Sequence, residues 1–262
     1  MSLVSSPFFM SNSLLVVFIS ANTNNYVLNT DLQDNYNWNG SSPISVEVRI
    51  SSGITVGATS TSSAAFTINS FPTSSTIKIV NNGRIQGKGG NGGTGAESGS
   101  SGYNCPLGNA TAGGDALAIN HNISVVNASG EIWGGGGGGG GGGSGADYYG
   151  CTAGGSGGGG GAGSQVGSGG SVLGGCGTDG NPGSDGTATS GGAGGTAVTY
   201  GPQTGGAGGA GGGPGQAAPN GDNRNCSTSG LNLGGAAGKA INLNSYSATY
   251  IGSSGDIRGS VS

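Results

Sequence analysis

Charge is scarce in this chain. Only 7% of its 262 residues are charged, with seven Lys+Arg against eleven Asp+Glu. So few basic groups leave no cationic footprint for a phosphate backbone, which excludes nucleic acid as a partner. The same scarcity argues against ordinary disorder, because disordered segments stay in solution through high net charge. The acids are too sparse and scattered to form a catalytic carboxylate pair. A single histidine, His121, has no nucleophile partner in view, so a structural or exposed role is expected for it. No Cys-x-x-Cys occurs, and His121 is not at ligand spacing to any cysteine, so no zinc site is expected. Asp179 to Asp185 hints at a calcium loop, but Ser190 stands where a closing glutamate belongs. The expectation is a protein without catalysis, metal or other cofactor.

Long apolar runs are missing as well. Phe8 to Ile19 is the most apolar stretch, and it falls far short of the ~20 residues that span a bilayer. No positive charge precedes it, since the first is Arg49, so it does not read as a secretory signal. It reads as a buried strand or docking segment, with Phe8, Phe9, Leu14 and Leu15 as candidate contacts and no membrane insertion.

What the chain has is glycine. Sixty of its 66 glycines lie between Gly83 and Gly238, including an unbroken run of ten from Gly134 to Gly143. Ordering a glycine costs roughly 0.5–1 kcal/mol more than ordering an alanine. Glycine burial returns little hydrophobic free energy, and a backbone hydrogen bond contributes about 1 kcal/mol net. Order in this region therefore requires many backbone bonds formed together.

One conformation allows that. The polyproline-II type helix has three residues per turn and makes no internal hydrogen bonds. Several laid side by side can bond N–H to C=O laterally where side chains are absent. Gly206, Gly209, Gly212 and Gly215 keep the three-residue period, and the ten-glycine run would expose a bare backbone on all three faces. A flexible linker is the competing reading. Against it, short insertions rich in Tyr, Asn, Asp and Thr punctuate the glycine several times.

Outside the glycine the pattern is β. Ile44, Val46, Val48 and Ile50 alternate with Ser45, Glu47 and Arg49, the mark of a half-buried strand. Strand-like stretches follow at 54–56, 66–68 and 76–80. No useful 3.6-residue apolar period is present, so almost no helix is expected. A repeat then appears three times. Ala65-Phe66-Thr67-Ile68-Asn69 leads to Gly83-Arg84-Ile85-Gln86-Gly87; Ala116 to Asn120 leads to Gly130 to Gly134; Ala240 to Asn244 leads to Gly255 to Gly259. Such units stack on one another in solenoids.

The expected fold is thus all-β or irregular: a small β-rich repeat scaffold carrying a glycine-rich sandwich of packed polyglycine-II helices. Its parts are an attachment segment at 1–40, a β-rich domain at 41–86, a glycine-rich domain at 87–238 interrupted by a β repeat at 115–134, and a closing repeat at 239–262. Five insertions are the candidate binding elements: Ala96 to Ala112, Ser144 to Ala153, Thr178 to Ser190, Thr196 to Thr204 and Gln216 to Leu233. They carry Tyr103, Tyr148, Tyr149, Tyr200, Asn220, Asp222 and Arg224, and tyrosine among small polar residues is paratope chemistry. Solvated turns are the plainer reading. Cys105, Cys151, Cys176 and Cys226 all fall in this zone, either as disulfides clamping long loops or as buried thiols.

Asn82-Gly83-Arg84-Ile85-Gln86-Gly87-Lys88-Gly89-Gly90-Asn91-Gly92-Gly93, followed by Gly130-Glu131-Ile132-Trp133 and polyglycine, resembles the glycine-rich receptor-recognition adhesins of tailed bacteriophages. The nearest kind sits at the tip of T-even-type long tail fibres. The resemblance implies a non-enzymatic virion protein in which packed polyglycine-II helices hold variable loops against an outer-membrane protein or surface glycan. An N-terminal part would fasten it to other fibre proteins. A structural or ice-binding glycine-rich protein is the alternative; it would need a flat face with Thr or Ala at period three, which these irregular aromatic insertions do not suggest.

Overall fold

The computed structural model describes residues 13–98, 108–145, 151–222 and 233–262. Among them are many short strands and a single nine-residue helix. The first turn of chain holds β1 (Leu15–Ile19), β2 (Thr23–Asn24), β3 (Tyr26–Val27) and α1 (Leu28–Tyr36). The second holds β4 (Ser45–Ile50), β5 (Thr55–Gly57) and β6 (Phe66–Ile68). The third holds β7 (Thr76–Asn81), β8 (Arg84–Gln86) and β9 (Leu117–Ile119). The fourth holds β10 (Ile123–Val126) and β11 (Glu131–Trp133), and, beyond the hairpin strands β12 (Thr199–Tyr200) and β13 (Gln203–Thr204), β14 (Ile241–Asn242). The last holds β15 (Ala248–Tyr250) and β16 (Asp256–Arg258).

Each turn adds one strand to each of three parallel sheets. Their orders are β1-β4-β7-β10-β15, β2-β5-β8-β11-β16 and β3-β6-β9-β14. In the last turn, a bridge from Val261 to Ile241 supplies the third sheet. The repeat explains the register. Phe66 pairs with Leu117 and Leu117 with Ile241 in the third sheet, while Ile85, Ile132 and Ile257 line up in the second. Like positions stack, so every turn covers the apolar face that its neighbour cannot bury alone. Phe66, Ile85, Leu117, Ile132 and Ile241 are fully buried. Each contributes roughly 1.5–3 kcal/mol against the exposed state.

Polar groups at a corner are also stacked. Between the first and second sheets Asn81 donates to Asn127 Oδ1 at 2.7 Å, and Asn127 donates to the Ser254 carbonyl at 2.7 Å. Gly83 N donates to Asn81 Oδ1 at 3.1 Å. The turn's donors are thereby satisfied inside the fold, as buried polar groups require.

β1 pairs in parallel with β4, Leu15 opposite Val46, as the first strand of the first sheet. The apolar run thus contains a strand, with Val17 and Ile19 inside and Phe18 outside. Helix α1 continues β3 and buries Leu28 and Leu32, one helical turn apart. It ends on Asn37 in the left-handed region, φ 54°. Its apolar stripe is only two leucines wide, too little to register as a 3.6-residue period.

On the outside of the first sheet, Glu47 is enclosed by Lys78 at 2.9 Å and by Arg49. Hydrogen bonds from these two cations hold its carboxyl below the ordinary carboxylate range. A depressed folded-state value means that this contribution is present above the unfolded pKa and is lost as pH falls through the folded one. Thermal unfolding of Glu47→Gln should therefore match the parent more closely in strong acid than at neutral pH, where the parent is the more stable.

The glycine leaves and rejoins the solenoid at one corner. It departs after β8 and returns before β9, then departs after β11 and returns before β14; both excursions run from the second sheet to the third, on successive turns. Segment 134–145 lies at the centre. Gly135 and Gly138 donate to 108–116, Gly136, Gly139 and Gly142 to 151–164, and Gly137, Gly140 and Gly143 to 216–222, at 2.7–3.1 Å. It accepts from 87–98, 205–215 and 233–240, so six neighbours surround it. Segment 151–164 is surrounded in the same way.

The bonds arrange ten segments in three rows. One row is 108–116, 87–98 and 165–177. The middle row is 233–240, 134–145, 151–164 and 178–187. The last is 216–222, 205–215 and 190–198. Successive segments alternate in direction, away from the solenoid and back. Side chains survive where a segment faces solvent, as at Asn181, Ser184 and Thr187, three residues apart and all exposed.

The corner is fastened by side chains. Arg84 and Arg258, from β8 and β16 on either side of β11, place their guanidinium carbons 4.2 and 4.1 Å from the ring centre of Trp133, the residue before polyglycine. Gln86 donates to the Ala188 carbonyl at 2.6 Å, and Ser164 Oγ accepts from Ala58 N at 2.9 Å. These bonds seat the near-side turns of the glycine rows on the solenoid.

Candidate functional site

Alternation of direction divides the glycine connections into two sets. Turns at 164–166, 187–190 and 213–216 lie against the solenoid. At the opposite end stand the turn 174–179, the hairpin of β12 and β13, and the described segment ends at 98, 108, 145, 151, 222 and 233. The described residues at these junctions touch one another. Gly145 N donates to Ala153 O at 2.9 Å, Cys176 N to Ser98 O at 3.2 Å, Gly143 N to Asp222 O at 2.9 Å and Asp222 N to Ala207 O at 2.8 Å. The far ends of all three rows thus form one continuous surface, distal to the solenoid.

β12 and β13 pair as a two-stranded hairpin, Tyr200 opposite Gln203, across Gly201-Pro202. Gly201 has φ +59°, which a tight hairpin turn needs and which glycine adopts without strain. The hairpin presents Tyr200 with 43% of its surface exposed. Asn220 and Asp222 also stand exposed toward this end. Asn220 does structural work too, since its Oδ1 accepts from Gly234 N at 3.0 Å. Tyr103, Tyr148, Tyr149 and Arg224 lie outside the described residues, as do Phe8, Phe9, Cys105 and Cys226. Leu14 is exposed at the start of the solenoid, while Leu15 in β1 packs against the core.

Cys151 and Cys176 form a disulfide at the distal surface. Leu173 and Leu233 are exposed there as well, beyond the tyrosine and polar positions that the insertions single out. Their signal in the sequence is a short apolar pair among glycine, serine and asparagine, Val172-Leu173 and Leu231-Asn232-Leu233. Thr178 to Ser190 is no distal loop: 178–187 is a bonded segment returning to the solenoid, with Gly154, Gly157, Gly160 and Gly163 donating to it. Its polar side chains mark an outer segment, not a turn.

The charges described at the distal end are Glu97, Asp179 and Asp222, all acidic; Lys88 and Lys239 lie near the solenoid. Asp179 accepts from Ser98 Oγ at 3.3 Å and from Gly175 N at 3.1 Å, and Asp185 accepts from Gly169 N at 2.8 Å. These carboxylates orient backbone, and among the described residues no three His, Cys, Asp or Glu converge for a metal. His121 sits far off in the solenoid, nearly buried, 5.8 Å from the Phe71 ring and bonded to Ser75 O at 3.1 Å. A cavity of about 500 Å³ lies at the near end, bordered by Pro214, Gln216 and Arg258. The distal end can act as a contact surface of turns on a stiff support.

No curated protein and no solved structure matches the chain. The solenoid and the glycine rows fall together within a single family match: residues 15–262 fit the model of the phage tail fibre adhesin Gp38, and the chain belongs to that family.

Proposed function

We propose that the glycine rows are a polyglycine-II sandwich whose distal turns bind an outer-membrane protein or surface glycan of the host. The observation that carries this reading is the gathering of the described segment ends, the turn 174–179 and the β12–β13 hairpin at the end opposite the solenoid. Family membership supplies the coarser facts: the protein is a receptor-binding adhesin of the virion tail, extracellular after release, and its partners are a host-surface receptor and other tail components. The three-residue donor pattern of segment 134–145 supports the polyglycine-II assignment, since only a threefold helix sends successive N–H groups toward three different neighbours.

In this reading Tyr103, Tyr148, Tyr149, Tyr200, Asn220, Asp222 and Arg224 contact the receptor. Tyrosine supplies rigid area, and the small polar residues supply adaptable hydrogen bonds. The solenoid is the fibre-facing part, with Phe8, Phe9, Leu14 and Leu15 as the attachment contacts. Residues 87–238 form the receptor-facing unit, threaded by the solenoid strands at 115–134.

Replacing the distal turns by those of an adhesin with a different host should transfer host binding, while replacing the near-side turns 164–166 and 187–190 should not. Unchanged host choice after the distal exchange would sink the reading. Tyr200→Ala should weaken binding to host cells by about tenfold, in the range of an interface anchor, with the thermal midpoint unmoved.

A further inference from the structure

The disulfide joins two points at the distal end of the rows. Cys151 opens the central segment 151–164, and Cys176 lies in the distal turn 174–179, 25 residues later with Cα atoms 5.2 Å apart. The segments between them are antiparallel neighbours, Gly170 N donating to Gly158 O at 2.7 Å and Gly167 N to Gly161 O at 2.9 Å. Residues 164–166 close this hairpin at the solenoid end. The disulfide closes it at the distal end.

Around Cys176 the hydrogen bonds are long. Cys176 N reaches Ser98 O at 3.2 Å, Gly177 N reaches Ser98 Oγ at 3.4 Å, and Gly175 N reaches Asp179 Oδ1 at 3.1 Å. Contacts at or beyond the upper end of the usual 2.7–3.2 Å range hold weakly. Thr178 O, at the far side of the turn, accepts from Gly154 N at 2.8 Å, so the row beneath holds the turn there and the disulfide holds it at Cys176. Cys176 is exposed and Cys151 half-buried, so small thiols and disulfides in solution can reach the pair.

We propose that Cys151 and Cys176 form a redox-controlled staple of the receptor surface, an inference that rests on the distal end being that surface. The cytosol that builds a virion keeps thiols reduced, and the exterior where the adhesin works does not. Inside, the turn 174–179 is loose; outside, oxidation fixes it. The oxidant is a low-mass disulfide. The Cys176 thiolate attacks one of its sulfurs and expels the first small thiol, leaving a mixed disulfide. The Cys151 thiolate then attacks the Cys176 sulfur and expels the second. Two protons leave with the released thiols, the protein loses two electrons, and the external disulfide gains them.

The test compares the full chain with Cys151→Ser/Cys176→Ser, which retains Cys105 and Cys226. With the staple absent, amides at 174–179 should exchange at least about tenfold faster while those at 134–143 hold their rate. Binding to whole cells of the host strain should fall by about tenfold, the scale expected when a binding loop must be ordered on contact instead of beforehand. A phosphine reductant should reproduce both changes in the parent, and oxidised glutathione should reverse them in the parent alone. Equal exchange in parent and variant, or thiols at both positions after oxidised glutathione, overturns the staple. A loosened turn with unchanged cell binding overturns its role at the receptor surface. Failure of the oxidised parent to bind host cells would instead remove the distal-surface reading, and the exchange comparison would still decide the staple.

Discussion

Gly139→Ala unfolds the glycine rows. Gly139 lies in the enclosed central segment, and a Cβ built there falls under 3.0 Å from the carbonyl oxygen of Gly209 in the next row. The obstacle is backbone, not the end of a flexible side chain, so it cannot swing aside. Gly138 meets Asn91 O and Gly158 meets Gly139 O in the same way, so relief by a small rotation drives another face of the segment into its neighbour. Separation of two segments breaks bonds at every third residue, each contributing about 1 kcal/mol. The expected loss exceeds ~4 kcal/mol, the range of severe core defects. Ala210→Ser is the control. Ala210 is exposed on an outer segment, and surface changes of this size stay within about 0.5 kcal/mol. Thermal unfolding of the two purified variants gives the comparison; a Gly139→Ala midpoint equal to the parent's would contradict the packing.

Phe66→Ala carries the second largest effect, this time in the solenoid. Phe66 is fully buried in the third sheet, paired with Leu117 and met edge-on by Tyr26 at 4.9 Å between ring centres. Removing a buried phenyl ring costs about 3–5 kcal/mol, part transfer and part cavity. Relaxation is limited, because the turns on both sides are held in register by parallel pairing. Phe18→Ala removes the same ring from a position 61% exposed beside Arg49, where about 1 kcal/mol or less is at stake. Urea titration should separate the two variants widely. A loss below ~1 kcal/mol for Phe66→Ala would mean that the stacked repeat is not the core.

These two variants mark what the residues disclosed. Repeated Ala-apolar-x-apolar-Asn and Gly-x-Ile-x-Gly units stand in the third and second sheets as register partners, which identical spacing made readable. The three-residue period of Gly206, Gly209, Gly212 and Gly215 was readable too, and these residues donate to Gly143, Gly140, Gly137 and Gly134. At most enclosed positions a Cβ would meet the backbone of a neighbouring segment, and only small side chains such as those of Ala153, Ser156 and Ala162 are buried among the rows. Two things escaped. Turn one of the solenoid lacks the repeat: its strands β2 and β3 are two residues each, and a helix with two buried leucines takes the space after them. The location of Thr178 to Ser190 also escaped, since polar residues at outer positions and polar residues in turns look alike in sequence. The distal disulfide is a third case. Four cysteines allow three pairings, and only the packing of 151–164 beside 165–177 brings Cys151 to Cys176.

Glycine backbones bonded sideways form the support beneath the distal end, the surface proposed to meet the receptor. Amide hydrogen exchange across 134–143 and 154–163 on the full protein tests it most directly. Every N–H bonded to a neighbouring segment there should be protected to the level of the solenoid strands, since opening one central segment disrupts six neighbours. Exchange at the rate of an unstructured glycine chain would show a tether in place of a support, and the distal surface would lose its foundation.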